Sequence, residues 1–129
     1  TFISPTGDRL ILRQAACRQT PPAEITVELE WQALSRMPGA PTVFMHWWDA
    51  QGTLLTQADG DPLGGLYPLA QWEPGEVVQE TRLIETAVLT GTVTLGIWDP
   101  ESGTRWQATA ADGQLLADGS FVLPPCTPP

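Results

Sequence analysis

From residue 24 to residue 31 apolar and polar positions alternate strictly, with Ile25, Val27, Leu29 and Trp31 on one side and Thr26, Glu28 and Glu30 on the other. Successive side chains of a β-strand point to opposite faces, so a period of two predicts a strand with one buried face. Residues 92–98 repeat the pattern, with Val93, Leu95 and Ile97 set against Thr94, Gly96 and Trp98. Residues 43–48 are apolar on both parities, Val43, Met45 and Trp47 against Phe44, His46 and Trp48, which predicts a central strand covered on both faces. Further strands are predicted at residues 10–16, 53–57, 77–84, 105–108, 114–116 and 121–123, and no stretch carries a helical period.

Turn residues punctuate these runs. Asp49-Ala50-Gln51-Gly52, Pro100 to Gly103 and Asp112-Gly113 each predict a hairpin. One connection is longer: residues 59–75 hold Asp59, Gly60, Pro62, Gly65, Pro68, Trp72, Pro74 and Gly75, followed by Glu76, and predict an ordered structural loop crossing between sheets. Trp72 is expected to plug the sandwich beneath it, pinning Pro68 and Pro74, because a large ring among turn residues anchors backbone that no ladder pairs. The fold class that follows is all-β, a two-sheet antiparallel sandwich of the immunoglobulin-like kind, with residues 124–129 as an extended, Pro-rich tail. At 129 residues the chain is one domain, spanning 1–129.

Charge narrows the partners. Fifteen acidic side chains against six arginines and no lysine leave a formal charge of −9, a field that repels nucleic acid and anionic lipid. No apolar run is long enough for a membrane-spanning helix, so no membrane insertion by this segment is expected. The opening at Thr1 reads as a piece of a longer protein whose targeting segment lies outside it. Cys17 and Cys126 stand near opposite ends without neighbours at zinc-ligand spacing, and we expect them to form a disulfide. It would close a loop on the order of 100 residues, worth roughly 4 to 5 kcal/mol before strain. The other reading is two unpaired thiols; pairing would imply an oxidising, extracytoplasmic location.

Candidate chemistry is sparse. Glu73, Glu76 and Glu80 invite a glycosidase reading, but carboxylates on strands of an acidic domain are expected to face water. His46, the one histidine, lies between aromatic neighbours with no nucleophile motif and reads as structural. Asp59-Gly60-Asp61 offers oxygen ligands for calcium, yet aspartates beside glycine more often serve turns, and neither a metal nor another cofactor is expected. Six tryptophans are the most informative feature. Trp31 and Trp47 fall on buried parities, while Trp48, Trp98 and Trp106, with His46 and Phe44, could form an aromatic platform on one sheet face. Against that platform stands a structural aromatic cluster.

From residue 43 onward the motifs Val43-Phe-Met-His-Trp-Trp-Asp-Ala-Gln-Gly52, Asp59-Gly-Asp-Pro62, Gly65-Leu-Tyr-Pro68, Trp72-Glu-Pro-Gly-Glu76, Gly96-Ile-Trp-Asp99 and Thr104-Arg105 follow in order. In these residues, over positions 43–123, the chain resembles the extracytoplasmic C-terminal β-sandwich region of bacterial multi-pass membrane glycosyltransferases of the dolichyl-phosphate-mannose mannosyltransferase type. It departs from their pattern at Leu69, Glu80 and Trp98. The resemblance implies placement at the cell surface or outer face of the membrane and an accessory part in surface-glycan metabolism, with the transfer chemistry in a membrane-embedded part absent here. The expected function is therefore a non-catalytic accessory or interaction domain, its partner a glycan or the membrane-embedded part of its parent protein. The alternative is a carbohydrate-binding module using His46, Trp48, Trp98 and Trp106, and a small glycoside-active enzyme comes third.

Overall fold

The computed structural model describes residues 1–129 and contains ten strands: β1 (Phe2–Ile3), β2 (Arg9–Thr20), β3 (Glu24–Ala33), β4 (Thr42–Trp48), β5 (Leu54–Gln57), β6 (Val77–Glu85), β7 (Thr92–Asp99), β8 (Thr104–Arg105), β9 (Gln107–Ala108) and β10 (Phe121–Val122). They build two antiparallel sheets, as the alternation predicts. The first runs β6-β3-β2-β1-β9 and the second β10-β7-β4-β5, with β8 joining β10 along the edge of β7 that β4 leaves open. Helical structure is limited to three short 3-10 turns, at Leu63–Gly65, Leu69–Gln71 and Ala117–Gly119, and no helix is long and apolar enough to cross a membrane.

The inner faces meet in one hydrophobic core. Ile25, Val27, Leu29 and Trp31 of β3 oppose Val43, Met45 and Trp47 of β4 and Val93, Leu95 and Ile97 of β7, all buried. The expected strand at 105–108 divides, because the chain changes sheets there: Arg105 pairs with Trp98 in the second sheet and Gln107 with Ile3 in the first. Residues 114–116 are no strand. Caught between the Asp112-Gly113 turn and the 3-10 turn at Ala117–Gly119, they make one bridge, Leu115 to Thr109.

The crossing loop after β5 is ordered as expected. Pro62 and Pro68 each lead into a 3-10 turn. Gly60 and Gly75 sit at φ 142° and 87°, backbone that a side chain would strain. Trp72 is fully buried, its Nε1 donating to the Tyr67 carbonyl at 3.0 Å and its ring 5.8 Å from that of Tyr67, while Pro74 is exposed in the following turn. Glu76 fixes the end of the loop by accepting from the Tyr67 hydroxyl at 2.7 Å and the Glu73 N–H at 3.0 Å. Those two donors, the Glu73 N–H first, hold the Glu76 carboxyl below its ordinary pKa, and the same contact pushes the Tyr67 phenol up.

One feature of the edges differs from the sequence expectation. Glu80, expected in water, points inward with Arg82, because β6 alternates in phase with the core: Val78, Glu80, Arg82 and Ile84 are buried and Gln79, Thr81 and Leu83 exposed. The carboxylate survives burial because both of its oxygens have donors and its charge has a partner. Trp31 Nε1 reaches it at 2.7 Å and Arg82 Nε at 2.8 Å. Arg82 also donates to the carbonyls of Ala58 and Gly60, at 3.0 and 2.8 Å, tying the edge of the first sheet to the chain leaving β5 in the second. An inward charge on an edge strand also discourages pairing with another chain.

The Cys17–Cys126 disulfide is present, with Cα atoms 4.6 Å apart across a sequence separation of 109. As expected, the two ends are bridged, β2 being joined to the tail that follows β10. Thr127 lies parallel to β2, accepting from Gln19 N–H at 2.8 Å and donating to the Cys17 carbonyl at 3.0 Å, so the tail continues the sheet where the two-residue β1 leaves β2 unpaired.

Candidate functional site

Residues directly opposite in an antiparallel pair share a face, so the register defines what the second sheet shows to its outer side. One row reads Leu54, Trp48, Thr92; the next Gln57, His46, Thr94, Val122; then Phe44 and Gly96; then Thr42, Trp98 and Arg105. Over this face lies an open groove of about 700 Å3 lined by His46, Trp48, Leu54, Thr94, Arg105 and residues 116–122.

Each wall has a local cause. A β-bulge in the β4–β5 pair sets Trp48 opposite Leu54. The Trp48 indole Nε1 donates to Thr94 Oγ1 at 2.9 Å, which fixes the ring across β4 and β7. Gly96 leaves space that the Phe44 ring and the Gly119 carbonyl fill; a Cβ there would collide with both. The 3-10 turn at Ala117–Gly119 therefore folds onto the sheet and raises one side of the groove. Arg105 lies over Phe44, its guanidinium carbon 4.1 Å from the ring centre, and donates from Nη1 to the Asp118 carbonyl at 3.1 Å. His46 is largely buried between Phe44 and Trp48, with ring centres 5.2 and 6.0 Å away. Burial lowers its pKa, Asp59 at 3.8 Å opposes that, and Arg105 adds to it, so His46 stands as a neutral imidazole at pH 7.

Of the five residues expected in a platform, His46 and Trp48 line the groove together, while Phe44 lies buried on the same face beneath Arg105. Trp106 does not line it: the sheet change between β8 and β9 turns it into the core, where it is 4% exposed. Trp98 lies on the same outer face but beyond Arg105, outside the groove, and its Nε1 and the Oγ1 of the directly paired Thr42 are buried without protein partners. No two tryptophans stack; the aromatic pairs on this face are tilted or edge-on. The sequence reading missed Leu54, Arg105, Phe121 and Val122. Arg105 had a signal, since the Pro100–Gly103 hairpin pairs it with Trp98. The residues of 116–122 arrive through a non-local pairing of β10 with β7 and had none.

The remaining candidates are held in structural contacts. Asp59 accepts the Met45 N–H at 2.8 Å, replacing a ladder bond, and no group of three or more His, Cys, Asp or Glu side chains gathers as a metal site. Glu73 pairs with Arg36 at 2.7 Å, Glu76 with Tyr67, and Glu80 with Trp31 and Arg82. The outer face of the first sheet has its own depression of about 670 Å3, lined largely by Gln14, Glu28, Glu30 and Gln79, polar where the first groove is aromatic.

No protein-family model, curated protein or solved structure matches the chain.

Proposed function

We propose that this chain is a non-catalytic, extracytoplasmic interaction domain of a membrane protein of surface-glycan metabolism, and that it binds its partner through the groove on the outer face of the second sheet. The observation that carries the reading is the groove itself: an oriented Trp48 beside the exposed Leu54 and Val122, on a face that a self-sufficient sandwich would cover with polar residues. Three features support it. The disulfide suits an oxidising compartment. The glutamates that a glycosidase would need are engaged in a loop anchor, a surface ion pair and a buried ion pair. The link to glycan metabolism rests on the sequence resemblance over residues 43–123. The same groove serves the carbohydrate-binding reading with a smaller aromatic site than the sequence suggested, His46 and Trp48 rather than four residues.

The test is a titration of the oxidised protein with a panel of bacterial surface polysaccharides, following heat release and analysing the recovered glycan. Saturable binding that Trp48→Ala removes and Leu83→Ser on the opposite sheet leaves intact, with the glycan unchanged, is the expected result. Binding indifferent to Trp48→Ala, or shortened glycan chains, would overturn it.

A further inference from the structure

The groove carries a positive group that no carboxylate of the chain pairs. Four of the six arginines sit against a glutamate: Arg13 on Glu30, Arg18 on Glu28, Arg36 on Glu73 and Arg82 on Glu80. Arg9 and Arg105 have no carboxylate partner, although the chain holds fifteen acidic residues, and of the two only Arg105 lines the groove. Asp118, next to it on the groove wall, offers its backbone carbonyl instead. That single bond uses Nη1, and the guanidinium carbon stands 4.1 Å from the Phe44 ring centre. The Nε and Nη2 donors, the edge that matches a two-oxygen acceptor, make no bond within the protein.

We propose that the groove recognises an acidic saccharide, a hexuronate residue whose carboxylate takes the Nε–Nη2 edge of Arg105 while its ring lies against Trp48 and the apolar side chains of Leu54 and Val122. This rests on the reading of the groove as the binding surface and specifies its ligand. The carboxylate is favoured over a phosphate by charge. Arg105 is the one formal positive charge lining the groove, where Asp118 is the one carboxylate. A phosphomonoester carries about −1.5 to −2 at pH 7 and would need a second cation, against a protein of net charge −9. One guanidinium balances one carboxylate. These apolar side chains and Trp48 supply what a free carboxylate ion would not use, a surface for the hydrophobic face of a pyranose.

The experiment compares five probes on the oxidised wild-type protein by calorimetric titration: a galacturonic acid tetramer, the same tetramer with its carboxyls methyl-esterified, a neutral galactose tetramer, and the monomers galacturonate and galactose 6-phosphate. A charge-assisted bidentate pair is worth about 10- to 100-fold in affinity. The acid should therefore bind at least about tenfold tighter than its ester, more weakly as salt is raised, and Arg105→Met should reduce the acid to the level of the ester. Arg105→Lys should recover only part of the loss, since an ammonium lacks the planar fork. Because the ester arm uses the unaltered protein, the outcome does not depend on whether an Arg105 variant folds. Equal binding of acid and ester, no binding of the acid, or tighter binding of galactose 6-phosphate than of galacturonate would overturn the proposal. Trp48-dependent binding of the neutral tetramer alone would leave the groove as the binding surface and remove only its acidic specificity; no binding of any probe, with polysaccharide binding also absent, would remove both.

Discussion

Replacing Arg82 with methionine should be among the most damaging single changes to this fold, and the reason lies in what would stay behind. Met fills a volume similar to the arginine stem, so little packing is lost. Glu80, whose side chain is 1% exposed, would keep the Trp31 N–H but lose its counter-charge, and the Ala58 and Gly60 carbonyls would lose their donors. Removing one partner of a buried pair costs about 3–5 kcal/mol, and the two orphaned carbonyls place this case near the upper end. That is a large part of the roughly 5–15 kcal/mol by which domains are stable. Adding Glu80→Gln to Arg82→Met removes the unpaired charge while retaining an oxygen for Trp31, so the double variant should recover about 2 kcal/mol or more. Urea unfolding followed by tryptophan fluorescence, with the disulfide intact, measures both. An Arg82→Met variant within about 1 kcal/mol of the parent, or a double variant less stable than the single, would refute the reasoning.

Trp72→Ala should cost about 3–5 kcal/mol, since it empties a fully buried site and frees the crossing loop; an unchanged melting temperature would show that the loop is anchored otherwise. Replacing Cys17 and Cys126 together by serine should lower stability by about 4–5 kcal/mol through the closed loop of 109 residues, with the tail detaching from β2 first, as hydrogen exchange at Gln19 and Thr127 would report. His46 binds a proton less readily in the folded protein than in the unfolded chain, so its contribution is fully present above the unfolded pKa of about 6.5 and is lost as pH falls below it. Unfolding measured from pH ~7 to ~5 should therefore show a slope that His46→Gln flattens, and an equal slope in both proteins would contradict the burial argument.

Much of the fold was legible because the strands that make the core are long enough to show a period. β3, β4 and β7 each place their tryptophan or aliphatic residues on the predicted side, and the Asp49–Gly52 and Pro100–Gly103 turns join the predicted neighbours. What escaped was set by contacts distant in sequence. Glu80 and Arg82 alternate in phase with Val78 and Ile84, so the pattern itself put them inside; the default of placing charge in water hid it, and only the approach of Trp31 and the Ala58–Gly60 carbonyls makes the burial tolerable. Trp106 was misplaced because a strand that changes sheets has no single parity. The groove was half legible: His46 and Trp48 follow from the period of β4, whereas its other wall depends on β10 returning beside β7.

The indole N–H signals of the six tryptophans offer the most direct test of the groove as the binding surface. They report distinct places: Trp31 on Glu80, Trp47 on the Val88 carbonyl, Trp72 on the Tyr67 carbonyl, Trp48 on Thr94 in the groove, Trp106 in the core and Trp98 beyond Arg105. In a proton–nitrogen correlation spectrum of the oxidised protein titrated with the galacturonic acid tetramer, the account predicts a saturable shift of the Trp48 signal together with the backbone amides of residues 116–122, while Trp31, Trp47, Trp72 and Trp106 stay in place. A Trp48 signal that does not move, or shifts centred on the outer face of the first sheet around Glu28 and Gln79, would contradict it.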